Sequence, residues 1–165
     1  MASRVRNVTG VDRWNLGGRR GYIGIMRVLC IARHPILSEH LCRFFGRFDV
    51  AAVPCVGVRS ARAMASAYDP DIAICDYDLL TASELEQWGA DASAGRVPIV
   101  AVSMTKRPSE VRLIDATGVV GFLYLPAVSP IAAQQLLATL RRQRDGVATP
   151  NDLSWPGTTR IAQKR

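Results

Sequence analysis

Five short apolar runs, each followed by a segment with helical spacing, constrain this chain more than any other feature. The runs cover residues 28–31, 50–56, 72–75, 97–102 and 119–125. Runs this short suit strands better than helices. A strand that is apolar at consecutive positions is covered on both faces, which is the habit of parallel strands joined by helical crossovers. The segments between the runs carry helix signals. Pro35 opens the first, where Leu37, Leu41, Phe44, Phe45 and Phe48 keep one face. Ser60 is placed to cap the second, with Met64 and Tyr68 one turn apart, and Asp69-Pro70 breaks it. A third helix is expected around 83–88. A fourth starts at Pro108-Ser109-Glu110, carries Val111 and Ile114, and stops at Gly118. In the fifth, Ser129 caps and Pro130 takes the first position. Ala133, Leu136, Leu137 and Leu140 form its apolar face, and Arg141-Arg142 suits its dipole. The alternation predicts a flavodoxin-like α/β domain: a doubly wound, five-stranded parallel sheet with helices on both faces.

Such sheets place their reactive groups at the C-terminal ends of the strands. Asp76 follows the apolar run 72–75 directly, so it is the leading functional candidate. The first run ends in Ala32-Arg33, which brings no acid to the same edge.

Composition narrows the alternatives. With 165 residues and 48% hydrophobic content, the chain can bury the core of one domain. No apolar run approaches the roughly 18 residues of a membrane span, and the N-terminus lacks the apolar stretch of a signal peptide. The net charge of +7 is unevenly spread. Residues 1–27 hold six arginines against Asp12, and residues 146–165 hold Arg160, Lys164 and Arg165 against Asp152. The segment between them has 12 basic and 12 acidic residues. The basicity belongs to the tails rather than to a folded face, which weakens a nucleic-acid-binding reading. Residues 1–26 are expected to be a flexible basic extension, 27–145 the folded domain and 146–165 a flexible tail. Met26 stands directly before the first strand, which makes an alternative start there conceivable. Cys30, Cys42, Cys55 and Cys75 form no Cys-x-x-Cys pair and read as buried reduced thiols, which fits the cytoplasm. His34 and His40 have no third partner for a metal, the glycines of 17–24 fit no phosphate-binding loop, and no catalytic triad is readable.

Four fragments, in order and at fitting spacing, carry a family resemblance. They are Val28-Leu29-Cys30-Ile31-Ala32-Arg33-His34-Pro35, Pro70-Asp71-Ile72-Ala73-Ile74-Cys75-Asp76, Pro98-Ile99-Val100-Ala101-Val102-Ser103 and Gly121-Phe122-Leu123-Tyr124-Leu125-Pro126. The segment from about 27 to 144 resembles the receiver domain of two-component response regulators. The resemblance puts Asp76 at the phosphoacceptor position, Ser103 at the Ser/Thr switch and Phe122 at the aromatic switch. It also exposes departures. Ala32 and Arg33 stand where the family has two Mg²⁺-binding acids. Leu125 stands where it has the lysine that contacts the phosphoryl group, and Met104 where it has a small residue. Asp76 and Asp78 beside an arginine make a poor cage for Mg²⁺, which takes several oxygen ligands in near-octahedral geometry. No cofactor is therefore expected.

What this implies is a degenerate, non-enzymatic receiver that signals by protein–protein contact without the usual aspartyl phosphorylation. About 20 residues follow the last predicted helix, too few for a helix-turn-helix unit, so action on a partner in trans is expected. That partner would be a histidine kinase, a response regulator or another effector, and a homodimer is also compatible. Arg33 is expected to pair with Asp76, standing where Mg²⁺ normally stands. Ser103 is read as a loop hydrogen-bonder and Phe122 as core. The family's partner-binding face points to Arg107, Arg112, Tyr124, Gln134 and Arg141. The alternatives are a phosphorylatable single-domain receiver with Asp76 as acceptor, and a nucleic-acid-associated protein using its basic tails.

Overall fold

The computed structural model describes residues 24–107 and 118–144. The predicted fourth helix, Arg112, most of the 1–26 extension and all of the 146–165 tail lie outside the described residues. Within them, five strands form one sheet: β1 (Met26–Ala32), β2 (Val50–Val56), β3 (Ile72–Asp76), β4 (Ile99–Ser103) and β5 (Val119–Tyr124). The order is β2-β1-β3-β4-β5, and every neighbouring pair is parallel. Four α-helices accompany them: α1 (Pro35–Phe45), α2 (Val58–Tyr68), α3 (Ala82–Ala90) and α4 (Pro130–Arg144).

Side-chain alternation along β1 shows why the sheet needs two layers of helices. Leu29 and Ile31 join a cluster with Ala61, Ala65, Leu85 and Trp88 of α2 and α3. Met26, Val28, Cys30 and Ala32 join the other, with Leu41 and Phe45 of α1 and Leu136, Leu137 and Leu140 of α4. Period-2 geometry sends successive residues to opposite faces, and here both faces are core.

Several boundaries differ from the sequence expectation. β1 begins at Met26, which pairs with Val50 and is itself core, so the folded part starts before residue 27. Gly57, at φ 81°, turns the chain straight into α2, so Ser60 lies inside that helix rather than capping it. The left-handed conformation is open to glycine, and the turn is made before any side-chain cap is required. β4 starts at Ile99 because Val97 is held in the preceding turn, its N–H donating to Ala94 O at 2.8 Å. Pro98 next to it has no N–H for a ladder. β5 ends at Tyr124, where Leu125–Ala127 form a single 3₁₀ turn containing Pro126. The expected Ser129 cap is formed, its Oγ accepting from Ala132 N at 3.1 Å; α3 is capped by Thr81, which the sequence reading did not single out, its Oγ1 accepting from Glu84 N at 3.2 Å. No described helix is long and apolar enough to cross a membrane.

Candidate functional site

The parallel register brings the ends of β1, β3 and β4 to one edge. Ile31 pairs with Cys75 and Asp76 with Val102, so Arg33, Asp76 and Ser103 emerge side by side. Asp76 is 5% exposed. Arg33 Nε donates to Asp76 Oδ2 at 3.1 Å, and Arg33 Nη2 donates to Asp78 Oδ2 at 3.0 Å. One guanidinium thus bridges two carboxylates, using the fork geometry that a lysine lacks. Asp78 lies in the 3₁₀ turn Tyr77–Leu79, whose entry is shaped by Asp76: the Asp78 N–H donates to Asp76 Oδ1 at 3.3 Å.

A second cation completes the cluster, and it was not anticipated. Lys106 Nζ donates to Asp78 Oδ1 at 2.7 Å and lies 5.2 Å from the centre of the Tyr77 ring. The hydrogen bond from Lys106 to Asp78 raises the ammonium above the ordinary lysine range. Two acids now face two cations, and each of the four carboxylate oxygens accepts a hydrogen bond from the protein. The available signal in the sequence was the basic pair Lys106-Arg107, three residues beyond a strand that ends beside Asp76. Periodicity does not say where a loop side chain reaches, so that signal was too weak to use.

Ser103 is buried, and its Oγ accepts from Thr105 N at 3.2 Å and Lys106 N at 2.9 Å. These bonds fold the loop back over the strand end and carry Lys106 towards Asp78. Phe122 is fully buried and meets Tyr77 edge to face, with ring centres 5.6 Å apart. Ala32 and Leu125 are buried on the α1–α4 side of the sheet. Met104 is 40% exposed, at the rim rather than in the core. Among the described residues, no group of three or more His, Cys, Asp or Glu side chains is arranged to hold a metal ion.

The proposed partner face is only partly assembled. Tyr124 ends β5 and is half-buried against the α2–α3 cluster, and Gln134 is exposed on α4. Arg107 is exposed in the loop after β4. Arg141 turns the other way: its Nη2 donates to the Asp49 carbonyl at 3.4 Å, next to β2, the edge strand opposite β5. That carbonyl lies across the sheet from Tyr124.

Comparison with solved structures decides the fold. The chemotaxis response regulator CheY4 of Vibrio cholerae superposes with a TM-score of 0.57 at 17% identity, over 71% of this chain and 99% of that one. The fold is that of a receiver domain. The response regulator domain of CheB from Thermotoga maritima matches with a TM-score of 0.56 at 20% identity, covering 74% of this chain and 98% of its own. The isolated REC domain of RcsB from Salmonella enterica serovar Typhimurium matches with a TM-score of 0.54 at 12% identity, covering 72% and 90%. No family model and no curated protein matches the sequence. At such identities the receiver likeness establishes architecture, and the residues at the strand ends have to carry the functional argument.

Proposed function

We propose that this receiver fold works as a degenerate signalling module, acting through protein–protein contact without Mg²⁺-dependent phosphorylation of Asp76. The observation that carries the reading is the saturation of the acidic site by the chain's own donors. Arg33 occupies both carboxylates, Lys106 occupies Asp78, and Ala32 supplies no ligand. Magnesium does not fit this donor set. A dication would have to displace two cations from two acids, with no further carboxylate to complete its shell. Phosphoryl transfer to a carboxylate depends on positioning and on neutralising charge on the transferred group. Here the neutralising charge is already spent on the acceptor, and Leu125 offers none. The reading carries no enzymatic role, and it places the protein in the cytoplasm with a signalling protein as its partner.

Intact-mass measurement after incubation with acetyl phosphate and Mg²⁺ tests the proposal. The expected result is an unchanged mass. A stable gain of one phosphoryl group, absent in Asp76→Asn, would overturn it in favour of a phosphorylatable receiver. Partner capture with wild-type protein and with folded Asp76→Ala should recover the same protein, because the active conformation is constitutive in this reading.

A further inference from the structure

A second concave site lies at the other end of the sheet from Asp76. Asp71 precedes β3, Val97 and Pro98 precede β4, and Gly118 precedes β5. Together with the last turn of α4 they line a cavity of about 370 Å³. The length of β3, about 17 Å, separates Asp71 from Asp76. The cavity shares no residue with the Arg33–Asp76 cluster.

A β-bulge shapes one wall. Ile99 pairs with Val119 and Val100 with Gly121, so Val120 has no partner in β4. The extra residue breaks the alternation of β5: Val119 and Phe122 join the α2–α3 cluster, whereas Val120 and Leu123 pack on the α1–α4 side. A bulge bends its strand and re-aims the side chain at the extra position. Here Val120 lines the cavity with Val97, Pro98 and Leu140, which makes much of the wall apolar. From α4, Leu140, Gln143 and Arg144 contribute with the i, i+3, i+4 spacing of one helix face.

The charged groups of the lining do not cancel. Arg144 and Asp71 form an ion pair at 3.2 Å, and Asp71 Oδ2 also accepts the Arg27 N–H at 2.7 Å. Among the described residues, the Arg96 guanidinium and the Gln143 amide make no hydrogen bond or ion pair, and both line the same cavity. One positive charge and one amide therefore stand beside an apolar wall with nothing to bind.

We propose that this cavity binds a small organic monocarboxylate, with its carboxylate on Arg96 and Gln143 and its apolar body against Val97, Val120 and Leu140. Ligand sites of this volume are mostly apolar and carry a few placed polar groups. A guanidinium takes a carboxylate through two parallel hydrogen bonds. The charge count selects a monoanion, because Arg144 and Asp71 balance each other and Arg96 adds one positive charge. A dianion such as a phosphate monoester would bring its second charge beside the Asp71 carboxylate with no cation to offset it. A neutral ligand would cover Arg96 without pairing it. The proposal does not depend on the phosphorylation state of Asp76, which lies at the opposite strand ends.

The experiment titrates the full chain with benzoate and with isovalerate and follows backbone amide shifts, using benzyl alcohol and inorganic phosphate as comparators. The expected result is saturable shifts at Val97, Gly118, Val120 and Gln143 at millimolar carboxylate, with little change at Asp76 and Asp78. Benzyl alcohol lacks the charge and phosphate lacks the apolar body, so each should bind about tenfold more weakly or worse. Arg96 is exposed, and Arg96→Gln should weaken benzoate binding by about tenfold or more. Arg142→Gln removes the same charge from an exposed position of α4 outside the cavity, and it should bind benzoate as the wild type does. Absence of saturable shifts with both carboxylates, or shifts centred away from the cavity, would overturn the proposal. So would benzyl alcohol or phosphate binding as tightly as benzoate, or equal benzoate affinities in Arg96→Gln and Arg142→Gln.

Discussion

Lys106 Nζ sits 2.7 Å from Asp78 Oδ1, although 28 residues separate the two in sequence. The contact ties the loop after β4 to the turn after β3. It works together with Ser103, whose hydroxyl accepts the Thr105 and Lys106 amides and so fixes the start of that loop. The start of the loop is therefore held both through its backbone amides and through the Lys106 side chain, which lies over Tyr77, itself edge to face with Phe122.

The Lys106 contact should show in the alkaline limb of stability. The folded pKa of Lys106 lies above its unfolded value. Such a group contributes stability that is fully present below the unfolded pKa, near 10.4, and is lost as pH rises through the folded pKa. Thermal melts of wild-type and Lys106→Ala should therefore differ up to about pH 10 and converge above it. The chain has only two lysines, Lys106 and Lys164, so Lys106 can be followed directly by its side-chain NMR signal. A Lys106 titration at or below that of Lys164 would contradict the contact.

Arg33 and Asp76 should be energetically coupled. Asp76 is buried, but the Arg33 side chain is 50% exposed, so solvent screens part of the attraction. The coupling should fall between the values for exposed and buried pairs, at about 1–3 kcal/mol. Urea unfolding of Arg33→Ala, Asp76→Ala and the double variant gives it directly. Additive losses would show that the two residues do not stabilise one another.

Ser103→Ala should cost more than the loss of a surface hydroxyl. It leaves two loop amides without their acceptor, at about 1–3 kcal/mol if they stay out of water. Hydrogen exchange at Thr105 and Lys106 should quicken while exchange within β4 changes little. Unchanged protection at both amides would mean that the loop is held by something other than this hydroxyl.

The sheet was legible because its strands are unbroken apolar runs, and only doubly covered parallel strands need that. Asp76 was legible because it follows such a run at once, and the receiver resemblance rested on the same fragments. Arg33 was within reach because it directly follows a strand whose neighbour could be inferred. Lys106 was not, since its place depends on how Ser103 folds the following loop. The start of α2 was misplaced for a related reason: a backbone turn at Gly57 did the work that a Ser60 cap was expected to do. Arg141 reaches Asp49 rather than the β5 edge because helix spacing predicts which face a side chain leaves from, not which carbonyl it finds.

Restoring the acids and the lysine tests whether the strand ends retain receiver geometry. The variant combines Ala32→Asp, Arg33→Asp and Leu125→Lys. Ala32→Asp alone would bury a carboxylate among apolar side chains, since Ala32 is fully buried beneath α1 and α4. Mg²⁺ should therefore stabilise the variant by binding only its folded form. Removing Arg33 also frees Asp76 and one oxygen of Asp78, while Lys106 still holds the other. Adding Lys106→Ala should strengthen Mg²⁺ binding further, because it releases the last competing cation. The order of events is expected to be a rise in melting temperature with Mg²⁺ first and slow phosphorylation by acetyl phosphate second. The wild-type melt should not respond to Mg²⁺ at low millimolar concentration, where a receiver with its acids in place would. A folded variant whose melting temperature ignores Mg²⁺ would show that the edges of β1 and β3 are not spaced to share an ion, and the residues at 32, 33 and 125 would then not account for the proposed absence of phosphorylation.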